Sequence, residues 1–204
     1  MQSPLDYIDI IALAYLLLLW TVYARYAKYR AQKGQLSSLS RSLHSHRGAW
    51  ARRLLDREMR MTDASLMASQ ERVVGFFAST TLLLMAAVLT ALTTSAEIAE
   101  LTSHIPFAEP QTAREVEAKL ALILLILIYA FFKVTWSLRQ YGFAAVVMGA
   151  APDSTEQLTP QQREAFSCNL ASLMDSAGHD NNSGLRAYYF CLSLMCWLWG
   201  TVAF

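Results

Sequence analysis

The chain has 204 residues, of which 54% are hydrophobic and only 16% are charged, and its formal net charge is +1. This length accommodates one compact domain, but so apolar a composition with so few charges is atypical of a soluble protein. A lipid bilayer is therefore the expected solvent.

Long uncharged runs indicate where the chain crosses the bilayer. Four runs contain no Asp, Glu, Lys or Arg: residues 10–24, 73–96, 120–132 and 187–204. A helix needs about 20 mostly apolar residues to cross the hydrocarbon layer. We therefore predict one membrane domain over 1–204, an all-α, integral membrane four-helix bundle. Its spans are predicted at about 6–25, 73–95, 119–138 and 186–204.

The distribution of basic residues predicts the orientation. The segment between the first two spans carries most of the Lys and Arg of the chain, namely Arg25, Lys28, Arg30, Lys33, Arg41, Arg47, Arg52, Arg53, Arg57, Arg60 and Arg72. Basic loops stay on the cytoplasmic side. The acidic loop 96–118 then lies outside, as do both termini, and the predicted location is the bacterial inner (plasma) membrane.

The cytoplasmic segments are themselves predicted to be helical, over about 39–70 and 159–177. Apolar residues on one side of the first segment recur at spacings of four, seven, four and seven: Leu39, Leu43, Trp50, Leu54 and Met61. This pattern is typical of a basic amphipathic helix. Two alternatives stay open, since the apolar stripe can lie on the inner leaflet or pack on the second cytoplasmic helix.

The second cytoplasmic helix has a clear start and an expected end. Thr159, Pro160 and Gln162 form the pattern of a capping box with proline at the first helical position. The glycine- and asparagine-rich stretch from Gly178 to Gly184 is typical of a turn that separates this helix from the last span.

The third apolar run leads into a stretch that is both aromatic and cationic, FFKVTWSLRQYG at 131–142. A continuous helix from Glu117 to Ala151 would be about 50 Å long, which is more than a bilayer needs. We expect the excess, to about residue 150, to protrude into the cytoplasm, with Lys133 near the inner interface. A deeper position would bury Lys133 and Arg139 in lipid, which is costly unless each is paired or faces water.

These positions predict a polar cluster at the inner ends of the spans. The cluster comprises Arg72, Lys133, Ser137, Arg139, Gln140 and Arg186, with Asp63, Glu71 and Asp180 as the acids available for pairing. The expected interfacial aromatic residues are Trp50, Trp136, Tyr141 and Tyr188. Two interpretations of the cations stay open: topological anchors locked by ion pairs, or the lining of an anion-attracting vestibule or lipid phosphate site.

Catalytic patterns are weak, and we predict neither an enzyme nor a cofactor. His44 and His46 are two residues apart, so they point in different directions on a helix and have no ligand partner at suitable spacing. The sequence contains no glycine-rich phosphate loop and no H-E-x-x-H zinc motif.

Four motifs together resemble a known family. They are LHSHRGAWARRLLDREMRMTD at 43–63, FFAST at 76–80, WSLRQYG at 136–142 followed by GAAP, and GLRAYYF at 184–190. They are similar to the membrane-protein family catalogued as domain of unknown function 599. The resemblance implies a multi-spanning membrane protein of bacteria and plants without an established activity, and no functional residue can be transferred. The motif positions include Arg47, Trp50, Asp63, Trp136, Arg139, Gln140, Arg186 and Tyr188.

Two functions are consistent with these predictions. The first is an oligomeric channel or carrier for a small ion or anionic solute, with a basic cytoplasmic vestibule; four helices are too few for a wide pore in one chain. The alternative is a non-catalytic membrane scaffold or accessory subunit that binds anionic lipid or a partner protein through its basic cytoplasmic helix. Expected partners are anionic lipids of the inner leaflet and other subunits, either identical copies or members of a complex, but not nucleic acid.

Overall fold

The computed structural model describes residues 7, 11, 14–16, 18–22, 25–26, 39–104 and 110–198. This part of the chain is all-α and contains no strand, as predicted. Its helices are α1 (Leu39–Leu54), α2 (Met61–Thr93), α3 (Ser95–Ser103), α4 (Ala113–Gly149) and α5 (Pro160–Cys196). The described residues between 7 and 26 are helical as well.

Some sequence predictions fall on residues outside this description. They are parts of the first predicted span 6–25, the basic residues Lys28, Arg30 and Lys33, residues 105–109 of the acidic loop, and 199–204 of the last span.

Two capping boxes fix the starts of α4 and α5. The N–H of Thr159 donates to Gln162 Oε1 at 2.9 Å, and the N–H of Gln162 donates to Thr159 Oγ1 at 3.3 Å, which confirms the predicted box at α5. The same reciprocal pair forms between Thr112 and Glu115 at α4, at 2.7 and 3.3 Å. Each box satisfies backbone donors that a helix start leaves unpaired.

The amphipathic helix predicted over 39–70 is interrupted. Helix α1 ends at Leu54, and backbone bonds of Leu55, Asp56 and Arg57 to carbonyls three residues earlier close a turn. The next helix, α2, begins at Met61 and continues to Thr93. Met61 is exposed, so the stripe that was predicted to include it ends on α1.

The turn predicted from Gly178 to Gly184 is wrong, because α5 is continuous from Pro160 to Cys196. The polar side chains of the stretch find partners that do not interrupt the helix. Ser183 Oγ bonds back to the His179 carbonyl at 2.9 Å, and Asp180 is paired with α4. The predicted boundary between a cytoplasmic helix and a last span is therefore not a break in secondary structure.

The predicted outer loop 96–118 also contains helix. Helix α3 occupies its beginning, and α4 starts at Ala113. Where the sequence predicted continuous helix from Glu117 to Ala151, α4 runs from Ala113 to Gly149.

The chain divides into two compact units. The first unit comprises Met1–Lys28, Ser79–Phe131 and Gly184–Phe204, and the second comprises Tyr29–Ala78 and Phe132–Ser183. The core of the first unit contains Leu16, Ala99, Val116, Leu120, Ile123, Leu127, Cys191, Leu194 and Trp197.

The core of the second unit joins α1 to α2, α4 and α5. It contains Ala51, Leu54, Leu55, Met67, Val74, Val134, Tyr141, Ala144, Met148, Ala151, Leu170, Met174 and Ala177, with Trp50 packed at its edge. Trp50 and Leu54 of the predicted stripe therefore pack in the unit that also contains α5, as in the second of the two alternatives, whereas Leu43 is exposed.

Two of the described helices, α2 and α4, are long and apolar enough to cross a membrane. In the most apolar 18-residue stretch of each, only 17% and 39% of the residues are buried. Most residues of these stretches are therefore not fully buried within the protein.

Candidate functional site

A polar group lies between α4 and α5 in the second unit. Lys133, Ser137 and Gln140 are four and three residues apart, so they share one face of α4. The Lys133 ammonium donates to Asp180 Oδ1 at 2.8 Å, and the Gln140 amide donates to Asp180 Oδ2 at 3.0 Å. Ser137 Oγ donates to the carbonyl of Ala177, one turn earlier on α5, at 2.7 Å. We call these four side chains, Lys133, Ser137, Gln140 and Asp180, the polar layer.

Burial differs within the polar layer. Ser137 and Asp180 are buried, whereas the Lys133 side chain is about one-third exposed. Lys133 is thus the more exposed member of its ion pair with Asp180. Its charge is balanced by Asp180, so the layer is close to neutral.

Two amide oxygens at or beside this layer lack hydrogen-bond donors. Gln140 Oε1 and Asn181 Oδ1 are both buried, and neither has a partner among the described residues. A buried acceptor without a donor costs about 1–3 kcal/mol. Such oxygens favour binding of water or of a solute that carries N–H or O–H groups.

A second buried acid, Asp63, joins α1, the turn and α2. Its side chain is 0% exposed. Oδ1 accepts hydrogen bonds from Trp50 Nε1 at 2.5 Å and from the guanidinium of Arg57, while Oδ2 has no partner among the described residues. Asp63 thus pairs with Arg57 rather than with a cation of the predicted cluster. The partly buried Trp50 is therefore bound to Asp63 within the second unit.

A third acid, Asp175 of α5, holds α1. It accepts from Arg47 Nη1 at 2.6 Å and pairs with His44. Gly178 makes room for this contact, because a Cβ at that position would lie 2.8 Å from Arg47 Nη2. Arg47, which lies within one of the family motifs, is thus bound to Asp175.

Tyr141 lies in the core of the second unit, so the prediction of an interfacial aromatic is wrong for this residue. Burial raises the pKa of its phenol, an effect that Arg47 opposes and Asp175 reinforces. The phenol is therefore neutral throughout the physiological pH range.

Arg60 borders an open groove of about 450 Å³ between α2 and the end of α4. Its guanidinium donates to the carbonyls of Ala151, at 2.7 Å, and of Pro152. Glu71, one of the acids predicted to pair with the cluster, lines the same groove and forms no salt bridge with a described cation.

Two cations of the predicted cluster lie on the surface of the second unit. Arg72 and Arg139 are exposed, and neither forms an ion pair with a described acid. The guanidinium of Arg139 lies 5.7 Å from the ring centre of Trp136 and 5.4 Å from that of Phe143. The structure therefore groups Lys133, Ser137 and Gln140 with Asp180 but leaves Arg72 and Arg139 out of that group.

The remaining predicted residues, Arg186 and Tyr188, belong to the first unit. Tyr188 is half-buried, and its hydroxyl bonds to the buried hydroxyl of Thr81. It is therefore engaged inside the protein.

Lys119 of the first unit is buried, with 3% exposure. Its ammonium donates to Gln111 Oε1 at 3.0 Å and to the Trp197 carbonyl at 3.2 Å, and it lies 4.9 Å from the Trp197 ring centre. Only the position of Lys119 at the end of an uncharged run marked it in the sequence. Its partners lie 8 and 78 residues away, so spacing does not reveal them.

No group of three or more His, Cys, Asp and Glu residues is placed to hold a metal within the described ranges. The polar layer is the candidate site that we consider in the second unit. It offers a balanced charge pair, a partly exposed lysine and a buried acceptor on Gln140.

The comparisons with known proteins give a family. The family model described as "Protein of unknown function, DUF599" matches residues 11–204, so the chain belongs to that family. No curated protein and no solved structure matches it.

Proposed function

We propose that this member of the DUF599 family is an integral protein of the bacterial inner membrane with four spans and both termini on the outer side. The low burial of the apolar stretches of α2 and α4 supports this. A core helix of a soluble protein buries such residues, since apolar surface in water costs about 25 cal/mol per Å². The basic segment between the first two predicted spans supports the orientation.

We further propose that it is an oligomeric channel or carrier for a small ion or anionic solute. The polar layer carries this proposal. Ionisable side chains in or beside membrane spans are rare and usually belong to solute or proton pathways. Here such a pair adjoins a buried oxygen without a donor, at Gln140, and a second lies on Asn181.

In this proposal Lys133 exchanges partners. At rest the ammonium is neutralised by Asp180 at 2.8 Å. An anionic solute that reaches the exposed side of Lys133 takes over this contact, and Gln140 keeps the released carboxylate hydrogen-bonded at Oδ2. The layer is thus a gated site rather than the open basic vestibule that the sequence suggested, because its cation is already paired.

The test is flux through liposomes that contain the purified protein. Wild-type protein should pass small anions faster than empty liposomes do, and Lys133→Gln should abolish most of the excess. Asp180→Asn should alter the rate as well, because it leaves Lys133 without its resting partner.

Arg163→Gln is the matched control. It removes a cation of an exposed pair with Asp56 and should leave the flux unchanged. The absence of wild-type flux for anions and cations alike would refute a channel or carrier.

A membrane scaffold is the second candidate, and one observation favours it. Ion pairs between separate elements brace the second unit: Arg47 with Asp175, Arg57 with Asp63, Arg163 with Asp56 and Lys133 with Asp180. Such bracing suits a rigid docking module. The scaffold proposal predicts no flux and unchanged partner or lipid binding in Lys133→Gln.

A further inference from the structure

An exposed stripe runs along α4 in the second unit. Its members are Phe132, Trp136, Arg139, Phe143 and Val146, at successive spacings of four, three, four and three. The four apolar members are 67%, 50%, 44% and 71% exposed. At about 100° per residue, this stripe lies roughly a quarter turn around the helix from the polar layer. It is a continuous apolar surface with one cation at its middle.

The Arg139 guanidinium is positioned to bind an anion. Its guanidinium is within cation–π distance of the two flanking rings, which hold it in place on the helix surface. The stripe contains no acid, and among the described residues no carboxylate pairs with Arg139. A guanidinium offers a planar fork of donors that matches a phosphate.

The position of Arg139 argues against a second copy of the chain as the occupant. Arg139 is the third of five stripe residues. A two-fold pair of fully overlapping stripes, parallel or antiparallel, would therefore place Arg139 opposite Arg139. Like charges at such a contact are destabilising.

A phospholipid satisfies both parts of the surface at once. Its acyl chains cover apolar side chains, and its phosphate carries the negative charge that balances Arg139. Aromatic and basic residues are the usual anchors at the level of the headgroups.

We propose that the α4 stripe binds an anionic phospholipid, with the phosphate on the Arg139 guanidinium and the acyl chains along Phe132 and Trp136. This site rests on the proposed membrane location but not on the proposed transport. It selects anionic over zwitterionic lipid, because Arg139 adds one uncompensated positive charge.

Trp136 supplies the readout. The full-length protein is reconstituted in bilayers that contain a brominated anionic lipid, phosphatidylglycerol, or brominated phosphatidylcholine. The Trp136 signal is the difference between wild-type protein and Trp136→Phe. We expect the anionic lipid to be enriched roughly fivefold at Trp136, the factor expected for one basic residue at an anionic surface.

Arg139→Gln should reduce the ratio of the two quenching efficiencies to one. Arg72→Gln removes the other exposed cation of the cluster and should leave the ratio unchanged. Equal quenching by both lipids in the wild type, or an unchanged ratio in Arg139→Gln, would overturn the site. Absence of Trp136 quenching while other tryptophans are quenched would assign the stripe to a protein partner instead. If no tryptophan is quenched, the proposed membrane location fails together with the site.

Discussion

Replacement of Asp63 should lower the stability of the protein. It is buried and accepts from both Trp50 and Arg57. Asp63→Asn removes the charge that faces Arg57 and weakens the acceptor for Trp50. We expect a loss of about 1.5–3 kcal/mol of stability, the range of hydrogen bonds to charged groups.

Thermal unfolding in detergent measures this loss, and Asp56→Asn is the control. Asp56 pairs with Arg163 at the surface, with 64% of its side chain exposed, so the control should lose less than about 1 kcal/mol. Equal losses in both variants would contradict the role assigned to Asp63.

Gly178 permits the approach of Arg47 to Asp175. Gly178→Ala should stabilise α5 by about 1 kcal/mol through the higher helix propensity of alanine. However, the new Cβ would lie 2.8 Å from Nη2 of Arg47 and would displace this guanidinium. We therefore expect the substitution to stabilise the protein in an Arg47→Ala background and not in the native background.

A double-mutant cycle on unfolding free energies measures the coupling of Gly178 and Arg47, for which we expect about 1 kcal/mol. Additive effects would mean that the glycine serves another purpose.

At the scale of elements, α5 shows which structural features local sequence patterns predict and which they do not. The capping box at Thr159 was predictable because its partners are three residues apart. The stretch 178–184 resembles a turn by composition, but it is helical because distant residues fit it: Arg47 against Gly178, and Lys133 and Gln140 on Asp180. Local composition contains no information on such long-range partners.

The same limit applies to the candidate site. Charge and position suggested Lys133, Gln140 and Asp180 as neighbours. They did not suggest that Tyr141 and Lys119 are buried, because burial depends on which neighbouring helix covers each face. The sequence therefore predicts candidate groups, and packing decides which of them meet.

Continuity of α5 has a measurable consequence. Backbone amides over 178–184 bond within the helix. Their hydrogen exchange should therefore be as slow as that of the preceding seven residues, 171–177. Mass spectrometry of the detergent-solubilised protein measures both segments at once. Much faster exchange over 178–184 would contradict a continuous α5 and would support the turn that the composition suggests.

At the scale of the whole molecule, Cys168 offers a natural reporter of orientation. It lies exposed on the part of α5 that we propose to be cytoplasmic. A hydrogen bond to Glu164 raises the pKa of this thiol, so less thiolate is present at a given pH. Alkylation should therefore accelerate as the pH rises, and Glu164→Gln should accelerate it at neutral pH.

Membrane-impermeant maleimide applied to intact cells tests the proposed orientation directly. If the basic segment and α5 face the cytoplasm, Cys168 reacts only after permeabilisation, and so does a cysteine introduced as Ser45→Cys in a Cys168→Ser background. A cysteine introduced as Ser3→Cys in the same background reacts in intact cells, since the N-terminus is expected outside. Labelling of position 45 from outside would reverse the orientation. It would also remove the basis for placing Lys133 and Arg139 at the inner face, because both assignments depend on the same asymmetry of Lys and Arg.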